Sequence, residues 1–289
     1  MKKLLTTFFV FFYLILQSQT GTEIYLFDIK IDHNQITLSN PQNITQHEGY
    51  DNQPNFHRTE PVIYYASFNN EGRSDIKYYN YQTRETKNLT TTPEREYSPT
   101  LTPDGKFISC IIQRDNGAQD LGKYPINGGE PIILKNKYLV GYHAWIDDSK
   151  LLAYVLLDDM GELHFIDLKS DEDLIITTKI GRSLHKIPSQ NSMSFIDKSI
   201  PDKWCINSFD PVTKKIASIA STLPLREDMC WTKNGLILMS NGSQLFFLNP
   251  GSSNEWKLVE INGKFDWLKG ITRLAINSES NKLAIVVGE

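Results

Sequence analysis

Two of the six histidines, His143 and His185, stand 42 residues apart, and each lies two positions ahead of a large apolar residue, Trp145 or Ile187. Two imidazoles held side by side could take a metal ion, an anionic sugar or a peptide terminus. Charged residues recur in the same way: five positions ahead of comparable apolar residues stand Asp51, Glu96, Arg182 and Arg226, with Glu227, Asp228 and Arg273 close by. Tyr50, Tyr97 and Tyr142 occupy the same short segments. No third histidine takes the equivalent place, so neither a metal ligand set nor a catalytic residue is expected. The chain also lacks a G-x-S-x-G nucleophile elbow, a G-x-x-x-x-G-K-[ST] or G-x-G-x-x-G phosphate loop, and H-E-x-x-H. Asp158–Glu162 has several carboxylates near a glycine but not the alternation of a calcium loop, and it reads as a hairpin turn. Asn43, Asn88 and Asn241 each begin an N-x-[ST] triplet, and the first two stand at equivalent places.

The elements that would position these groups repeat. "SPTLTPDGKFIS" (98–109) reads as a hairpin, because Pro103 presets φ, Asp104 bonds the backbone ahead of it and Gly105 accepts positive φ. Sliding this unit along the chain on its apolar anchor gives Phe56, Leu101, Trp145, Ile187, Trp231 and Ile276, spaced 45, 44, 42, 44 and 45 residues apart. Each anchor hairpin is followed by a second one of the type "DIKYYNYQTRETKNLT" (75–90). A period of this length with four short strands per unit is the signature of propeller blades. After Ile276 the chain supplies only the first hairpin, and the missing one lies at the other end, in "TEIYLFDIKIDHNQITLSNPQNIT" (22–45). The expected fold is therefore all-β: a six-bladed β-propeller of four-stranded antiparallel blades, closed by N- and C-terminal strands sharing one blade. The anchors Phe56, Trp145 and Trp231 should fill the space between adjacent blades. The loops leading into each blade gather around one mouth of the central channel. Asp51, Glu96, Tyr97, His143, His185, Arg182, Arg226, Asp228 and Arg273 are then the candidate ligand- or partner-binding residues.

"YDNQPNFHRTEPVIYYAS" and "EYSPTLTPDGKFISCI", each followed by its second hairpin, resemble the WD40-like repeats of the Pro-Asp type found in the TolB-like propeller family. The resemblance spans residues 22–289 and is weakest in the fourth and fifth repeats, which lack the Pro-Asp-Gly. It implies a six-bladed propeller and a non-enzymatic binding role at the cell envelope. The same repeat occurs beside peptidase domains and in oligosaccharide lyases.

The first residues, MKKLLTTFFVFFYLILQSQTG, combine Lys2 and Lys3 with an apolar run from Leu4 to Leu16, which reads as an export signal over 1–19. One propeller domain over 20–289 and a periplasmic or extracellular location are expected. Loss of Lys2 and Lys3 would move the net charge from −4 to −6, and no basic stripe is present, which argues against nucleic acid as partner. No second long apolar run exists, so no membrane span is expected after signal removal. Three cysteines cannot form a disulfide framework. Buried free thiols are the expectation, with Cys205–Cys230 the one pairing worth considering. Together these readings point to an exported, monomeric module that needs no cofactor and binds a protein or peptide. The alternative is a carbohydrate-binding or lyase-like propeller using the two histidines.

Overall fold

The computed structural model describes residues 21–32, 35–157 and 160–288. The proposed export signal and Asp158–Asp159 lie outside them.

The chain begins with β1 (Thr22–Asp32) and β2 (Gln35–Asn43) and then lays down four-stranded antiparallel sheets in sequence order. Blade I is β3 (Asp51–Phe56), β4 (Val62–Phe68), β5 (Ser74–Asn80) and β6 (Glu85–Asn88). Blade II is β7 (Arg95–Leu101), β8 (Phe107–Gln113), β9 (Gln119–Pro125) and β10 (Ile132–Lys135). Blade III is β11 (Val140–Trp145), β12 (Lys150–Leu157), β13 (Met160–Asp167) and β14 (Glu172–Thr178). Blade IV is β15 (Ile180–Lys186), β16 (Met193–Asp197), β17 (Cys205–Phe209) and β18 (Ile216–Ser221). Blade V is β19 (Met229–Trp231), β20 (Ile237–Ser240), β21 (Leu245–Leu248) and β22 (Lys257–Leu258). The chain ends with β23 (Glu260–Ile261), β24 (Arg273–Ile276) and β25 (Lys282–Gly288). Blade VI has the order β23-β2-β1-β25-β24. Its halves come from opposite ends of the chain, with Thr22 opposite Gly288 and Asp28 opposite Lys282. The six-bladed ring and its shared closing blade are thus as the repeat spacing predicts. The parallel strand β23, paired to β2 through Thr37–Glu260 and Leu38–Ile261, is an addition that the sequence pattern does not announce.

Position within a blade explains composition. Second strands such as β4, β8 and β25 are covered on both faces by neighbouring blades, so VIYYASF, FISCIIQ and KLAIVVG are almost wholly buried rather than alternating. The outermost strand β6, ETKN, is exposed along its whole length, and its polar side chains blunt an open edge. The apolar residues fall into six clusters among the described residues, one at each junction between blades. Phe56 packs between blades VI and I, Trp145 between II and III, and Trp231 between IV and V. The two tryptophans also reach back to a serine of the preceding blade, Nε1 donating to Ser109 Oγ and to Ser194 Oγ, each at 2.8 Å. Cys110, Cys205 and Cys230 are free thiols in β8, β17 and β19, with Cys205 only partly buried.

Turn chemistry follows the repeat. Gly105 has φ +70°, its N–H donates to Thr102 O, and Asp104 Oδ1 accepts from Lys106 N. Gly235 repeats this at φ +80° with Thr232. The first two N-x-[ST] triplets have a shared structural role: Thr45 Oγ1 accepts from Ile24 N, and Thr90 Oγ1 from Ile76 N, tying the end of an outer strand to its neighbour.

Candidate functional site

Six innermost strands surround a central cavity of about 370 Å³, within the usual range of ligand sites. In blades I to IV their pairing with the second strands is broken near one end. The register shifts between Asn52 and Asn55, between Tyr97 and Thr100, between Val140 and Tyr142, and between Ile180 and Leu184. Gln53 and Ser98, three positions ahead of their anchors, have φ +59° and +54°. A bulge leaves ladder groups unpaired and re-aims side chains. In blades I to III the freed groups are used sideways. Gln53 Oε1 accepts from Ser98 N at 2.6 Å, Asn55 Oδ1 accepts from Leu101 N at 3.2 Å, and Ser98 Oγ donates to Gly141 O at 3.3 Å.

Both predicted histidines face this cavity, from adjacent blades. Ser109 Oγ donates its one proton to Thr100 O at 2.9 Å and accepts from Trp145 Nε1. His143 Nε2, 2.7 Å from the same oxygen, must therefore carry the proton between them. Its Nδ1 is a bare acceptor, buried and without a hydrogen-bond partner among the described residues. Burial pushes the His143 imidazolium down to about 3, so the ring is neutral near pH 7. His185 Nε2 lies 2.9 Å from Ser183 Oγ, which also bonds the backbone N and O of Met229 in blade V. Burial, opposed by a Met229 backbone hydrogen bond and reinforced by the charge of Arg273, holds His185 at about 4.

Arg58 of blade I apart, charge enters from blades IV to VI. Arg273, leading β24 in blade VI, reaches across the ring to blade III. Its Nη2 donates to Tyr142 Oη at 2.9 Å, and the guanidinium lies 4.9 Å from the Tyr142 ring centre. Its Nη1 is 3.7 Å from Asp228 Oδ2, while Asp228 Oδ1 accepts from Leu274 N at 2.8 Å. Burial raises the Asp228 carboxyl to about 6, with Arg273 and Arg182 pulling it back. Arg182 Nη2 donates to Thr272 O at 3.1 Å. Arg182 Nε is buried with no hydrogen-bond partner among the described residues, 3.8 Å from Oε1 of a Glu227 whose Oε2 accepts from Lys198 at 3.0 Å. Four cationic side chains, Arg58, Arg182, Lys186 and Arg273, line the cavity against one carboxylate, Asp228, in a chain whose net charge is −4. A second cavity of about 190 Å³ adjoins it, sharing Arg182, Asp228 and Arg273 and adding Arg226 and Glu227. Gly242, at φ +106°, leaves room for the Arg226 guanidinium, which a β-carbon would meet at 3.1 Å.

The structure brings His143, His185, Arg182, Asp228 and Arg273 to the central cavity and Arg226 beside it. It does not bring Asp51 or Glu96 there. Both are buried within their blades, 1% and 0% exposed. Glu96 accepts from Thr90, Thr92 and Tyr124. Asp51 lies 3.4 Å from His47, and burial raises it to about 6 against pulls from Ser67 and His47. Tyr97 is half-buried and meets Tyr50 edge-on, and Tyr50 is itself buried against Phe68, so these two rings pack loops together. Among the described residues, no group of three or more His, Cys, Asp or Glu is placed to hold a metal ion. The wall residues that sequence reasoning missed are Gln53, Asn55, Ser98 and Ser183, together with Ser109, which is buried behind His143 and bonded to it. The serine–tryptophan pairs left a signal, since Ser109 and Ser194 precede their tryptophans by 36 and 37 residues.

No family model matches the chain, and no curated protein matches it in sequence. Solved structures match it in fold. A putative TolB from Agrobacterium tumefaciens superposes with a TM-score of 0.70 at 13% identity, over 94% of this chain and 99% of that one. TolB from Acinetobacter baumannii gives 0.57 at 12% identity, over 93% of this chain and 65% of that one. An oligogalacturonate lyase in complex with manganese gives 0.54 at 13% identity, over 94% and 99%. At these identities the likeness is one of fold, the TolB-like propeller.

Proposed function

We propose that the ring is a binding module that holds a protein or peptide segment at the mouth of its channel, without catalysing a reaction on it. The observation that carries this reading is the unspent hydrogen-bonding capacity of the channel wall. His143 and Arg182 line the cavity, and among the described residues His143 Nδ1 and Arg182 Nε are buried without a hydrogen-bond partner. Leaving buried polar groups unmade costs about 1–3 kcal/mol each, which a ligand would recover. The TolB-named neighbours support the same reading. In this reading residues 1–19 direct export and are removed, and 20–289 act as a monomer in the periplasm or outside the cell. The basic start and apolar run support export.

The test is mild cross-linking of a tagged copy in its native envelope, followed by mass spectrometry. A stoichiometric protein partner, lost when Arg182 and Arg226 are both changed to glutamine, is expected. A protein recovered alone would remove the reading. A carbohydrate role is favoured by one observation, two imidazoles on adjacent blades facing a cavity in a fold shared with a lyase solved with manganese. Release of unsaturated oligogalacturonides on adding Mn²⁺, abolished by His185→Ala, would establish it instead.

A further inference from the structure

Resting on the binding-module reading, we infer that the channel captures the C-terminal carboxylate of a peptide chain, clamped by Arg182 and Arg273, with its last amide N–H donated to His143 Nδ1. Three observations select this chemistry. First, the local charge is positive. Lys198 and Glu227 neutralise one another at 3.0 Å, and Arg182, Arg226 and Arg273 against Asp228 leave a positive surplus, to which Arg58 and Lys186 of the cavity wall add. That surplus favours an anion. Second, the available donors suit a planar carboxylate. Arg182 Nε–H makes no hydrogen bond among the described residues, with Glu227 Oε1 3.8 Å away, and guanidinium forks bind carboxylates through paired N–H groups. Third, the wall offers a fixed acceptor as well as donors. The Ser109–Trp145–Thr100 arrangement puts the His143 proton on Nε2, so Nδ1 can only accept. A ligand that satisfies this site carries an anion and a hydrogen-bond donor on adjacent groups, as the last residue of a peptide does. The remaining cavity is large enough for a chain end and too small for a folded domain.

The experiment uses the chain from residue 20 onward as purified from the periplasm. A random heptapeptide library displayed with free C-termini is panned against it. Enriched peptides are then measured by fluorescence anisotropy as free acids and as C-terminal amides. We expect amidation to weaken binding by about ten- to a hundredfold, the usual cost of losing a charge-assisted hydrogen bond. Arg182→Gln should weaken the acid similarly and leave the amide unchanged. The acid–amide comparison needs no variant, so a misfolded mutant cannot obscure it. Equal binding of acid and amide would overturn the carboxylate inference while leaving peptide binding at the mouth intact. Binding of oligogalacturonate with no enriched peptide would overturn the peptide assignment in favour of a uronic acid carboxylate. Neither peptide nor sugar binding, with no cross-linked partner, would remove both readings together.

Discussion

Around the bulges of the innermost strands, blades I to III and blades IV to VI line the channel with different chemistry. In the first half the groups released by the bulges are neutral and bond sideways, Gln53 to Ser98, Asn55 to Leu101 and Ser98 to Gly141. In the second half Arg182, Asp228 and Arg273 occupy that zone, and among the described residues Arg182 Nε is left without a hydrogen-bond partner. Between blades, however, the two halves are built alike: Trp145 bonds Ser109, and Trp231 bonds Ser194, at the same distance. A repeat can therefore hold its packing constant while its inner rim diverges, because the rim side chains contribute little to the clusters that join the blades.

The largest effect should show that the scaffold is symmetric. Trp145→Ala and Trp231→Ala should each cost about 3–5 kcal/mol in chemical unfolding, the usual loss for a buried tryptophan. A gap between them of more than about 1.5 kcal/mol would mean that the two halves differ in packing as well as in rim. Next, the asymmetry of function: Arg273→Gln should weaken capture of the cross-linked partner by about tenfold or more, as for a lost charged hydrogen bond. Gln53→Ala should change it less than about threefold, and equal losses would erase the distinction between halves.

Acid–base behaviour sharpens the comparison. Asp51 in blade I titrates near 6 in the folded chain, above the ordinary carboxylate value of 3.8, so ionising it opposes folding. Its contribution to stability is therefore lost as pH rises through that window and regained on acidification. Asp51→Asn should stabilise the protein by about 1–3 kcal/mol at pH 7.5 and have little effect at pH 4, as followed by urea unfolding at the two pH values. His143 and His185 act in the opposite sense. Their folded values, about 3 and 4, lie below the ordinary 6.5, so the stability they confer is complete above that value and lost as pH falls toward 4. The smallest effect is the strut between the halves: Tyr142→Phe removes the acceptor of Arg273 and should cost about 0.5–1.5 kcal/mol, read as a shift in the unfolding midpoint.

The ring was legible in the sequence because blade spacing, turn chemistry and the doubly buried second strands are all local patterns. The histidines were legible too, because counting two back from an anchor does not cross the bulge. Counting five back does cross it. In blades I and II the extra residues at Gln53–Pro54 and Ser98–Pro99 upset the two-residue alternation, so Asp51 and Glu96 turn into the blade. In blade IV the irregular stretch from Ile180 to Leu184 contains Arg182 itself, which reaches the cavity. The Tyr142–Arg273 contact joins residues 131 apart and leaves no trace in any periodic pattern. Strand β23 was illegible for a different reason, since two residues are too few to show alternation.

The shared closing blade sets the timing of folding. Strand β1 is among the first parts of the described chain to be made, and its partner β25 is the last. Until Lys282–Gly288 is available, blade VI lacks the strand that joins β23-β2-β1 to β24, and one edge of the nascent ring stays open. Contacts between residues so distant in sequence form late, because the loop they close must first be brought together. A chain threading through a narrow pore would thus remain open until its final strand had passed, and then close by docking that strand between β1 and β24.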